Sequence, residues 1–142
     1  MNSQASQSCD SFFIYTEADV MSAVMSTYIY TKNLGFSIAL MSEVSTSVSE
    51  LATNVVKYAC GGVVEISSVE SCGKTGVKIV VKDSGTGIPD IPLALSDNFS
   101  TEGSLGLGLP GVKRMMDEFS IESSPEHGTK IVIVKWNSGY GL

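Results

Sequence analysis

The sequence is poor in the residues that build most metal and nucleophile sites. Its 142 residues include one His and three Cys. Cys9, Cys60 and Cys72 are an odd set with no Cys-x-x-Cys spacing, which argues against a disulfide framework and against a zinc site. With His127 alone, a histidine-rich metal centre is excluded. A Ser-His-Asp triad would have to use it, and the Gly-x-Ser-x-Gly nucleophile elbow is missing. Charge is scarce as well: 17% of residues are charged, against about 25% in a typical soluble domain. Nine Lys and Arg face 15 Asp and Glu, a net charge of −6. That balance opposes broad binding to nucleic acid or to an anionic membrane. It leaves room for a nucleotide held by backbone N–H groups and a metal ion. No apolar run approaches the roughly 18 residues of a membrane span. The opening MNSQASQSCD has no basic region followed by an apolar one, so it is not a secretory signal. The expectation is a cytoplasmic protein with reduced thiols.

A hydrophobic share of 43% is enough for one packed core at a length typical of a single domain. The expected division is a polar leading segment over 1–10, one domain over 11–137 and a short tail over 138–142. Phe12 to Tyr15 is a short β-like run. Thr16-Glu17-Ala18-Asp19 then reads as a capped helix start, with Val20, Met21, Val24, Met25 and Tyr28 at helical spacing up to a stop near Asn33. Ser37 caps a second helix running to about Tyr58. Its stripe of Met41, Val44, Val48, Leu51 and Val55 faces the core. One position earlier runs a polar stripe, Glu43, Ser47, Glu50, Asn54 and Lys57. One residue is about 100° of rotation, so this stripe flanks the core instead of pointing away from it. Two strands follow, Val63–Val69 and Val77–Asp83, joined by a loop over 71–76. In the second strand Val77, Ile79, Val81 and Asp83 share the core face. A third helix is expected from Leu109 or Pro110 to Phe119, then a hairpin of Ser120–Ser124 and Thr129–Trp136. Three helices with about five mostly hairpin-connected strands give an α+β, two-layer sandwich with helices on one face.

Four small motifs carry chemistry. Glu50 and Asn54 are four apart on a helix, so they are neighbours on one face. The amide oxygen suits Mg²⁺, and the carboxylate can orient or deprotonate a nucleophile. Asp83-x-Gly85-x-Gly87 puts a carboxylate where a buried base could donate to it, with glycines that let backbone approach a flat ring. Gly103-Ser104-Leu105-Gly106-Leu107-Gly108 leads into a helix, whose N-terminus can hold phosphate. It is neither a Walker loop nor a Rossmann fingerprint. Gly128-Thr129 opens the last strand. Alone, each of these also fits a solvated helix face or an ordinary glycine turn.

In this order the four blocks resemble the GHKL ATP-binding family and its Bergerat fold, with a mixed, mostly antiparallel sheet. ELATNVVKYA, DSGTGIPD, DNFSTEGSLGLGLPGVKRMMDEFSIES and GTKIVIVKW are further similar to RsbT-type switch-protein serine kinases, small relatives of the anti-sigma-factor kinases. The resemblance implies roles for individual residues. Glu50 would activate a partner's serine hydroxyl, and Asn54 would bind Mg²⁺ bridging the ATP phosphates, with Lys57 nearby. Asp83 would accept from the adenine amino group. Gly85, Gly87 and Ile88 would shape the base pocket, and Thr129 would close it. Gly103, Gly106 and Gly108, with Leu105, Leu107 and Leu109 among them, would form the lid over the phosphates. It also implies partners: a STAS-domain antagonist and a scaffold paralogue in a stressosome, and a PP2C-type phosphatase or other signalling enzyme downstream. Anti-sigma relatives commonly form homodimers. Two other readings use the same pocket, an anti-sigma kinase that binds a sigma factor and a nucleotide-gated binding module with little transfer activity. The carboxylate at Glu50 favours a kinase over the last.

Overall fold

The computed structural model describes residues 9–85, 95 and 108–137. Its order is β1 (Cys9–Ile14), α1 (Glu17–Asn33), α2 (Ile38–Tyr58), β2 (Gly62–Ser71), β3 (Lys74–Asp83), α3 (Gly108–Met115), β4 (Glu118–Ser124) and β5 (Gly128–Trp136). The strands form one sheet ordered β1-β2-β3-β5-β4. Every pairing is antiparallel, a stricter version of the mostly antiparallel sheet expected. Alternation along the strands puts Val64, Ile66, Val77, Ile79, Val81, Ile131 and Ile133 on one buried face. Val44, Val48, Leu51 and Val55 of α2, with Leu109 and Val112 of α3, pack in the same core.

The start of α1 forms as its sequence specifies. Thr16 is the N-cap; its hydroxyl accepts from Asp19 N–H, and Asp19 accepts in return from Thr16 N–H and Tyr15 N–H. Those two backbone donors hold the Asp19 carboxyl below its ordinary pKa. Val20, Ala23, Thr27 and Thr31 are the buried side of α1. A second apolar stripe, Met21, Met25, Tyr28 and Ile29, is exposed.

Three boundaries differ from expectation. Cys9 and Asp10 belong to β1, because they pair with Ser67 and Ile66 of β2. The β2–β3 loop shrinks to a tight turn, with Cys72 at φ 53° and Gly73 at φ 81°. Two successive left-handed residues match the twist of a hairpin, so both strands run on to the turn. The third helix ends at Met115, not Phe119. Asp117 N–H already bonds to Val134 O, and Phe119 pairs with Ile133 in β4. Val112, Met116 and Phe119 fit a helical stripe, but Phe119 and Ile121 equally fit the core face of a strand.

Candidate nucleotide site and family

The end of β3 meets the start of β5. Asp83 Oδ1 accepts from Gly85 N–H at 2.8 Å and from Thr129 N–H at 3.3 Å. Among the described residues both bonds reach the same oxygen, which leaves Oδ2 to accept from an outside donor. Gly128 makes this junction possible. Its φ is 77°, and a Cβ there would collide with the carbonyl oxygen of Asp83. The Thr129 hydroxyl is 2.8 Å from Ser123 Oγ across the β4–β5 pair. Thr129 is 8% exposed. Asp83, Ser123, Gly128 and Thr129 help to line a cleft of about 410 Å³.

The second part of the site is on α2. The polar stripe does flank the core, and it is drier than a surface face. Ser47 is fully buried and Glu50 is 4% exposed, while Asn54 is half-buried. Burying a carboxylate is costly, so Glu50 is not an ordinary solvated helix residue. Gly85 lies against Ala59, the cap of α2. The Asp83 turn and the helix of Glu50 and Asn54 are thereby neighbours. Lys57 is exposed, its ammonium 5.4 Å from the centre of the Tyr58 ring.

The third part is the start of α3 at Gly108. The side chain of Leu109 is buried in the core, so only its backbone can face a ligand. Pro110 occupies the first turn, where its missing N–H costs nothing. Gly87, Ile88, Gly103, Leu105, Gly106 and Leu107 lie outside the described residues.

Sequence reasoning missed Ser123. Its contact with Thr129 depends on the β4–β5 register, which a single strand pattern does not give. It also gave Glu43 no role; Glu43 Oε1 is 2.9 Å from Lys135 Nζ.

These parts suit a nucleotide. A fixed carboxylate faces the end of a cleft, and main chain crowds it too closely for side chains. For Mg²⁺ the helix face offers the Asn54 amide oxygen, a hard donor, one turn from the Glu50 carboxylate. Among the described residues no group of three His, Cys, Asp or Glu could hold a metal. Mg²⁺ commonly keeps only one or two protein ligands beside phosphate and water, and this site offers that number.

Comparison with known proteins agrees. The model of the histidine kinase-like ATPase domain matches residues 17–135. The chain belongs to this family. Within it, the chain is 46% identical over 123 residues to the serine/threonine-protein kinase RsbT of Bacillus subtilis, covering 87% of this chain and 92% of that one. It is 35% identical over 102 residues to the anti-sigma F factor of the same organism, covering 67% and 68%. To the anti-sigma F factor of Geobacillus stearothermophilus it is 34% identical over 102 residues, with the same coverage. The chain is thus an RsbT-type serine/threonine kinase of the histidine kinase-like ATPase family. No described helix is long and apolar enough to cross a membrane.

Proposed function

We propose that this kinase transfers the γ-phosphoryl group of ATP to a serine hydroxyl of a STAS-domain antagonist or scaffold protein in a stressosome-type complex. The freed kinase then binds and activates a PP2C-type phosphatase or another signalling enzyme in the cytoplasm. Glu50 carries this reading. It is a carboxylate 4% exposed, one helical turn before Asn54. Asp83 and Thr129 hold the adenine, with Gly85, Gly87 and Ile88 around it. Asn54 holds Mg²⁺, which neutralises phosphate charge when bound. Lys57 and the lid residues Gly103, Leu105, Gly106, Leu107, Gly108 and Leu109 face the phosphates. Glu50 takes the proton from the serine as its oxygen attacks phosphorus, and ADP leaves with the bridging oxygen. Phosphoryl transfer is mostly positioning and charge neutralisation, so this small set is sufficient.

The test is incubation of the purified kinase with labelled Mg-ATP and each STAS-domain protein encoded beside it. Label on a serine of one of them supports the reading. ATP binding without transfer to any would defeat it and favour the nucleotide-gated module. Similarity to anti-sigma F factors supports a second reading, direct binding of a sigma factor. The greater coverage and identity of the RsbT match favour the first.

The exposed apolar stripe of Met21, Met25, Tyr28 and Ile29 supports a homodimer through the outer face of α1. Around a two-fold axis at Met25, antiparallel α1 helices would set Met21 against Ile29 and Glu17 near Lys32 of the other copy. Both the apolar stripe and the opposite charges are then matched. Met25→Glu should sediment as a monomer where the wild type sediments as a dimer; identical sedimentation would sink the pairing.

A further inference from the structure

Lys135 is a lysine on the helix-facing side of β5, with a side chain only 12% exposed. Its ammonium donates to Met115 O at 2.7 Å, the last residue of α3. It is 2.9 Å from Glu43 Oε1 of α2 and 3.8 Å from Asp117 Oδ1. Asp117 is itself tied down, its Oδ2 accepting from Trp136 N–H at 2.7 Å. One ammonium therefore joins β5, α2, the end of α3 and the residue leading into β4.

The placement has a purpose that the core does not serve. α3 has eight residues, too few to be stable from its own hydrogen bonds. Its start, Gly108, lies about 10 Å from its end at 1.5 Å per residue. A cation at the carbonyl end of a helix opposes the negative end of its dipole and fixes the last turn. Glu43 lies two turns before Glu50 on α2, so the same ammonium ties α3 to the helix of the catalytic carboxylate.

We propose that Lys135 is a positioning residue for the phosphate half of the nucleotide. By clamping the end of α3 to Glu43, it holds the start of that helix in register with Glu50 and Asn54. It does not touch the base half, which Asp83 and Thr129 build from β3 and β5. This rests on the nucleotide reading of the site, and the experiment separates the two.

Binding of ATP and of AMP, both with Mg²⁺, is measured by titration calorimetry for wild type, Lys135→Met, Lys135→Arg and Glu43→Gln. Lys135→Met should weaken ATP about tenfold, the scale of a partly buried charge at a helix end, and leave AMP within about twofold. Lys135→Arg should restore ATP binding, since arginine reaches the same acceptors. Glu43→Gln should weaken ATP by about threefold with AMP unchanged. Equal losses of ATP and AMP, or no loss of either, would overturn the proposal. If Lys135→Met does not fold, the ATP-to-AMP ratio of Glu43→Gln decides by the same criterion. Wild type that binds neither nucleotide would instead remove the reading of the site as a nucleotide pocket.

Discussion

At the sheet end of the site, Asp83 is fixed by main chain. Two backbone N–H groups hold one oxygen, and Gly128 lets the neighbouring strand close against it. On the helical side, Glu50 and Asn54 ride on α2, and the start of α3 is held from its far end by Lys135. The first wall is as rigid as the hairpin register that makes it. The second depends on side chains and on a charge placed a helix length away. On the proposed reading, the adenine meets a wall fixed by main chain and the phosphates meet a wall set by side chains.

Two changes separate the two walls, and a third tests the cap of α1. The largest effect should come from Asn54→Ala, which removes the proposed protein ligand of the metal. Mg-ATP affinity should fall by about 100-fold or more, because metal neutralisation of phosphate charge is worth several kcal/mol. AMP affinity should hold, and calorimetry with both nucleotides reads the difference; unchanged Mg-ATP affinity would take Asn54 out of the metal site. Gly128→Ala should act on the other wall. It forces a left-handed residue to carry a Cβ against Asp83, at about 1–3 kcal/mol of overpacking. ATP and AMP should weaken together, by about tenfold, with a lower melting temperature. Selective loss of ATP alone would contradict the division. The smallest effect lies outside both walls, at the α1 cap. Asp19 has its pKa lowered by the Tyr15 and Thr16 N–H groups. Its contribution is therefore present above the unfolded carboxyl pKa, near 3.9, and is lost as pH falls through the lower folded value. Protection from hydrogen exchange in the first turn of α1, taken relative to the intrinsic rate at each pH, should fall below about pH 4, while Asp19→Asn should lack that step. The same acid step in the variant would show that another group controls the cap.

The parts legible in the sequence were those set by local spacing. Thr16 to Asp19 announced the cap of α1, and the stripe from Met41 to Val55 announced α2. The offset of Glu50 from that stripe placed it at the border of the core, where the structure has it. Lost to local reading were features that depend on pairing between distant segments. Phe119 satisfied a helical and a strand period at once, and the Asp117–Val134 bond with the Phe119–Ile133 pairing decides for the strand. Cys72 is an unusual residue for a left-handed turn position, so the tight β2–β3 turn looked like a loop. Ser123 and Lys135 find their partners through strand register and helix docking. No spacing within one element encodes either contact.

The proposed role of Glu50 is that of a base, not of a structural carboxylate. The decisive measurement is ATP binding and phosphoryl transfer to the STAS-domain partner, side by side, for wild type and Glu50→Gln. In the variant, ATP affinity should stay within about threefold and transfer should slow by about 100-fold or more, the usual scale for losing a general base. Unchanged transfer with ATP bound would contradict it.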